Sequence, residues 1–163
     1  MPMFDRLSPI ALPLLALAAA IVVGGALVSQ YGFGLQPCVL CLYQRWPYYI
    51  IVPLALVAWP LTAGRPGLRR AILALIGLIF LAGAAVALFH VGVESHWWEG
   101  TAECGGNLPD ANSLDALRAQ LLATKPVRCD EPALVVLGLS MAGWNMLAAL
   151  ALAVFSFGAA RRA

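Results

Sequence analysis

Residues 7–44 read LSPIALPLLALAAAIVVGGALVSQYGFGLQPCVLCLYQ, 38 residues without a charged side chain. A helix needs about 20 mainly apolar residues to cross the hydrocarbon core of a bilayer, and the stretch from about 10 to 30 supplies them. Tyr31-Gly32-Phe33-Gly34-Leu35-Gln36-Pro37 then ends that helix with turn-forming residues. Three further charge-free windows, 46–64, 71–93 and 133–160, hold 19, 23 and 28 residues. Together the windows predict spans at about 10–30, 43–62, 71–90 and 134–157. They are continuous apolar runs, not the alternating ten-residue segments of a membrane barrel. The first run exceeds the 7–15 residues of a usual signal-peptide core, so it reads as a retained anchor.

Composition points the same way. Of 163 residues, 62% are apolar and 11% charged, against about 45–50% and about 25% in a soluble domain. These values exclude a water-soluble globule, a disordered chain and a nucleic-acid binder. A net charge of +2 is too small to imply a polyanionic partner. The length suits one domain over residues 1–163.

Basic residues in short loops set the orientation. Arg6, the 2–3 loop with Arg65, Arg69 and Arg70, and the C-terminal Arg161 and Arg162 face the cytoplasm. The loop over about 91–132 carries seven acids against Arg118, Lys125 and Arg128 and faces out. Aromatic belts fit this placement: Tyr43, Trp46, Tyr48 and Tyr49 near the outer end of span two, Trp59 near its inner end, and Trp97 and Trp98 after span three. Ala20 with Gly24, and Gly83 with Ala87, are small pairs one turn apart that would admit close helix packing, although general Gly/Ala richness explains them equally. Ser113–Leu122 has an N-cap residue and leucines on one face, which predicts a short helix lying on the membrane surface, the alternative being that this face packs on the protein itself. The expected architecture is an all-α, up-down-up-down four-helix transmembrane bundle with two outer loops, about 31–42 and 91–132.

All four cysteines fall in those outer loops, on the side where disulfides persist. Four cysteines allow three pairings. Proximity suggests Cys38 with Cys41, and then Cys104 with Cys129. A CxxC bridge closes too short a loop to stabilise much, so redox work suits it better than stapling. A four-cysteine zinc site would need a second close pair, and covalent haem would need His where Leu42 stands. Nucleotide-binding and metalloprotease motifs are absent from the sequence, and no metal is expected. Cys41 falls at the expected start of span two, where the positive helix end and Arg45 one turn deeper would favour its thiolate. Arg45 is itself a functional candidate, because a cation in a membrane segment is costly. His90 ends span three at about the same depth, where it either joins the cysteines or caps the helix. His96 reads as loop. Two pairs in reach of one another can relay electrons, with the inner pair facing a lipid-soluble acceptor such as a quinone. The alternative is a membrane protein whose two disulfides only staple its outer loops; it differs in making Cys41 inert.

The run Pro37-Cys38-Val39-Leu40-Cys41-Leu42-Tyr43-Gln44-Arg45, the second pair Cys104 and Cys129, and Gly138-Leu139-Ser140-Met141 resemble the disulfide bond formation protein B (DsbB) family over nearly the whole chain. The order of the cysteines argues against the related vitamin K epoxide reductases, where the loop pair precedes the CxxC. The resemblance implies a bacterial inner-membrane enzyme that reoxidises a periplasmic DsbA-type thiol oxidase and passes the electrons to ubiquinone or menaquinone. It implies that the partner attacks Cys104, that the released Cys129 attacks Cys38, and that Cys41 is left as a thiolate facing the quinone beside Arg45, with His90 also implicated. Gln44 stands where an acid is common in the family, a departure expected to matter little.

Overall fold

A computed structural model describes residues 10–105 and 127–163. The surface helix expected over Ser113–Leu122 lies outside these residues. Five α-helices account for most of the described chain: α1 (Ala11–Tyr31), α2 (Val39–Tyr43), α3 (Trp46–Leu61), α4 (Pro66–Glu94) and α5 (Met141–Ala160). Among the described residues, α1, α4 and α5 are long and apolar enough to cross a membrane.

The expected second span is divided. Helical backbone continues through Gln44 and Arg45, but Pro47 has no N–H to close a bond onto the preceding turn. What remains, α3, has 16 residues, about 24 Å at 1.5 Å per residue, which is short of the roughly 30 Å hydrocarbon core. By contrast α4 has 29 residues and outruns the expected 71–90 at both ends. Pro66 starts it, where a missing N–H costs nothing. At the far end a Schellman turn stops it: His96 takes a left-handed φ of 57°, and the Trp97 N–H returns to Gly92 O at 2.9 Å.

Span four also begins later than expected. Residues from 134 to 140 are not helix. Val135–Val136 and Leu139–Ser140 form a two-stranded antiparallel hairpin, so the fold is not wholly α. Leu137 and Gly138 both adopt positive φ, 52° and 81°, as a two-residue hairpin turn that follows the strand twist requires. Ser140 then caps α5, its Oγ accepting from Gly143 N at 3.1 Å.

In the bundle α1 packs along α3 and α4 along α5, with α3 meeting α4. Leu12, Leu15, Ile51, Leu73, Ile76 and Phe80 fill the core. The small residues act unequally. A Cβ at Gly83 would press on Pro47 of α3, and one at Gly77 on the Phe157 ring of α5, so both let helices approach. Gly24 meets nothing within 4 Å. Ser156 Oγ donates to Leu73 O at 2.6 Å inside the α4–α5 seam.

Candidate functional site

Pro37 and Cys38 open the short helix α2. Cys38 sits at the N-cap in extended conformation, and its Sγ accepts from the Cys41 N–H at 3.2 Å. The thiol therefore does what a serine or aspartate oxygen does at a helix start. Cys41 lies one turn along, so the helix folds its sulfur back to 2.7 Å from Cys38 Sγ. A shift of roughly 0.7 Å would bring the sulfurs to disulfide distance. The residue at the positive helix end is thus Cys38, not Cys41 as the sequence suggested.

The electrostatics follow. Hydrogen bonding from the Cys41 thiol outweighs burial and, with His90, lowers the Cys38 pKa from an ordinary 9.0 to about 4. Cys41 moves the other way, raised first by its bond to Cys38, then by burial and by the negative charges of Cys38 and Glu94. In the reduced pair, Cys38 is the thiolate and Cys41 the thiol.

Helix α4 brings His90 to this point. Its ring is buried, with Nε2 3.5 Å from Cys38 Sγ and 3.8 Å from Glu94 Oε1. Nδ1 accepts from Gln44 Nε2 at 2.7 Å. Arg45 is 9% exposed and turns away from the sulfurs: its guanidinium donates to Gln30 Oε1 at 2.6 Å and to Ala26 O at 3.4 Å, both on α1.

The second pair arrives from the other side. Cys104 and Cys129 form a disulfide across 25 positions of sequence. Cys104 rides a 3-10 turn, Ala102–Gly105, anchored to α2 where Tyr43 OH donates to Glu103 Oε2 at 2.9 Å. After the Schellman turn, Trp98 folds back onto α4, stacks on Phe89 and donates to its carbonyl at 2.9 Å. A Cβ at Gly92 would overlap the Trp98 indole, and one at Gly100 would crowd Cys104. Both glycines are there for space. A cleft of about 720 Å³ lies beside Cys104, with Trp98, Arg128 and Asp130 on its walls.

The two pairs meet. Cys38, Cys104 and Cys129 belong to one buried cluster with Leu40 and Val93, and Cys41 and Phe89 pack against it. Of the residues named from sequence, the four cysteines and His90 come together; Arg45 does not join them. Sequence reasoning assigned no site role to Gln44, Tyr48 and Asn145. Tyr48 OH donates to Asn145 Oδ1 at 2.5 Å, and Asn145 Nδ2 to Gln44 Oε1 at 2.7 Å. The available signal was a polar side chain inside an apolar run, such as Asn145 in 133–160, since such residues are rarely idle in a membrane.

The family model described as disulfide bond formation protein DsbB matches residues 8–159. A disulfide bond formation protein B of Aromatoleum aromaticum is 34% identical, covering 89% of this chain and 87% of the relative. A disulfide bond formation protein B 2 of Pseudomonas syringae is 32% identical over 86% and 81%. An uncharacterized protein of Rickettsia prowazekii is 27% identical over 93% and 86%. No solved structure matches. The chain belongs to the disulfide bond formation protein DsbB family.

Proposed function

We propose that this member of the DsbB family is a quinone-dependent protein-disulfide oxidoreductase of the bacterial inner membrane, which reoxidises a periplasmic DsbA-type thiol oxidase. The observation that carries the reading is the common burial of both cysteine pairs in one cluster. Bridges that only stapled two loops would not need to share a site, nor would a staple need one sulfur at a helix cap against a buried histidine.

In the proposed exchange a partner thiolate attacks Cys104 Sγ, the Cys104–Cys129 bond breaks, and Cys129 leaves as a thiolate. Cys129 attacks Cys38 Sγ of the oxidised inner pair, that disulfide breaks, and Cys41 leaves with the electron pair. The partner's second thiol displaces Cys104 and carries away the new disulfide, having lost two electrons and two protons. Cys38 is now bonded to Cys129 and bears no charge. The largest cause that holds Cys41 protonated in the reduced pair, its bond to Cys38, vanishes at this step together with the Cys38 charge, while burial stays, so Cys41 leaves as a thiolate more readily than the reduced pair would allow.

The surroundings of Cys41 fit a quinone. Leu42, Trp46 and Tyr49 are exposed apolar neighbours along α2 and α3. Arg45 has five N–H donors, of which two bonds to α1 use only part. Cys41 and Arg45 would hold ubiquinone or menaquinone, with His90 behind them on the Cys38 side. Cys104 then attacks Cys129 Sγ, the Cys38–Cys129 bond breaks, and the outer disulfide is restored; a quinone bound at Cys41 would supply the two-electron, two-proton acceptor that lets the freed Cys38 and Cys41 re-form theirs.

The proposed topology has four crossings. The stretch over about 43–62 stays helical through Gln44 and Arg45 and covers about 30 Å at 1.5 Å per residue, sufficient for the missing one. Both termini and Arg65, Arg69 and Arg70 then lie in the cytoplasm and all four cysteines in the periplasm. Purified protein, a reduced DsbA-type partner and a quinone test the function. Partner oxidation is expected to require the quinone and to vanish in Cys41→Ser; normal turnover by Cys41→Ser would refute the electron path.

A further inference from the structure

Five side chains from four helical elements and the turn between α2 and α3 form a hydrogen-bond chain that runs in one direction. Tyr48 OH donates to Asn145 Oδ1, Asn145 Nδ2 to Gln44 Oε1, and Gln44 Nε2 to His90 Nδ1. Since an amide nitrogen can only donate, His90 Nδ1 is an acceptor and the ring proton sits on Nε2. That nitrogen faces Cys38 Sγ at 3.5 Å and Glu94 Oε1 at 3.8 Å. Tyr48, Gln44 and His90 are each 5% exposed or less and Asn145 is half-buried, so at the Gln44–His90 end water does not substitute for a lost member.

We infer that Gln44 and Asn145 are positioning residues for Cys38: they hold His90 as the neutral Nε2–H tautomer and aim its proton at the sulfur. Each amide uses its oxygen on one neighbour and its nitrogen on another. Turning one alone would set two donors or two acceptors face to face, in a buried place where unmet polar groups are costly. Turning both together would carry a proton to Nδ1 and leave the Nε2 lone pair against Cys38. A thiolate opposes that arrangement, and so does the Glu94 carboxylate. The titratable groups facing the ring, Cys38 directly, Cys41 through it, and Glu94, therefore favour the same tautomer that the amides impose. The exchange of an acid for Gln44 is then not silent, because an ionised carboxylate at this position would accept from Nδ1 rather than donate to it.

The inference rests on the proposed function only for the use made of the Cys38 thiolate. It is tested on the reduced protein in lipid nanodiscs with neither partner nor quinone, so its failure and that of the proposed function are distinguishable. The chain has two histidines, so nitrogen-15 labelling of histidine gives a readable spectrum with His96 as the fold control. For His90, a pyridine-like Nδ1 and a pyrrole-like Nε2 are expected; the reverse, or an average of the two, would overturn the inference. Gln44→Met is expected to average the two nitrogens and to slow alkylation of Cys38 in mild acid about fivefold. Gln44→Glu, which keeps the shape but presents an acceptor, is expected to bring a proton onto Nδ1. If His90 kept the wild-type pattern in both variants with His96 unchanged, Gln44 would not be positioning the ring.

Discussion

The inner and outer cysteine pairs are chemically identical and structurally opposite. Cys38 and Cys41 lie in a single helical turn, one at the N-cap and one a turn on, so local backbone geometry alone sets their approach. A buried histidine and a polar chain reaching α5 then fix their protonation. Cys104 and Cys129 are 25 positions apart and owe their meeting to tertiary scaffolding: the Schellman turn at His96, the Trp98 fold-back over Gly92, and the Tyr43–Glu103 tie. The difference teaches a division of labour. The inner pair has a fixed electrostatic setting, and the outer pair, buried as well, is carried by a loop beside an open cleft.

The largest effect that would break this contrast comes from the outer pair. Cys129→Ser leaves Cys104 as a free thiol and is expected to reduce turnover by at least ~10³; mixed with the oxidised partner, that thiol attacks the partner's disulfide, one partner sulfur leaves as a thiolate, and a mixed disulfide on Cys104 is expected as a covalent complex on non-reducing gels. A complex through Cys38 instead would reverse the roles. Next is the pH response of the reduced inner pair. Because the Cys38 pKa is lowered in the folded state, the stability its ionisation contributes is complete above the ordinary thiol value of 9.0 and is lost as pH falls through about 4. Thiolate absorbance in Cys41→Ala and Cys38→Ser variants separates the two sulfurs, and in the intact reduced protein the low-pH step belongs to Cys38. Loss of the Cys41 thiol removes the largest cause of that lowering, so in Cys41→Ala, which leaves no hydroxyl to donate in its place, the step is expected to move up.

Smaller changes sharpen the account of the scaffold. Gly92→Ala displaces Trp98 and is expected to cost about 1–3 kcal/mol, with slower attack at Cys104 and an undisturbed Cys38–Cys41 pair; thermal unfolding and partner-exchange rates check both halves. The smallest is His96→Gly. It relieves a left-handed non-glycine residue at the helix end, worth about 1–2 kcal/mol, against about 0.5–1 kcal/mol for the chain entropy of glycine, and is expected to stabilise the protein by at most about 1 kcal/mol without altering exchange.

Much of this is legible in the sequence. The first charge-free window gave α1 within a residue at each end, since a long apolar run with a Gly/Pro exit has few other outcomes. The CxxC, His90 and the pairing of Cys104 with Cys129 were visible as candidates. The hairpin before α5 was not, because Val135, Val136, Leu137 and Leu139 are as apolar as a span; only the left-handed turn at Leu137 and Gly138 and the Ser140 cap tell them apart. The identity of the capping cysteine is not legible, because the apolar windows place the helix start at span two and the short helix after Pro37 carries no signal of its own. The Tyr48–Asn145–Gln44 chain joins residues up to 101 positions apart, a relation that periodicity within one helix does not contain.

The central claim is that the two pairs exchange electrons directly. Mixing the oxidised protein with a reduced DsbA-type partner while quinone is withheld, then alkylating and mapping the disulfides, tests it most directly. The account predicts a Cys38–Cys129 disulfide with Cys41 alkylated. A reduced Cys104 and Cys129 beside an intact Cys38–Cys41 disulfide would contradict it.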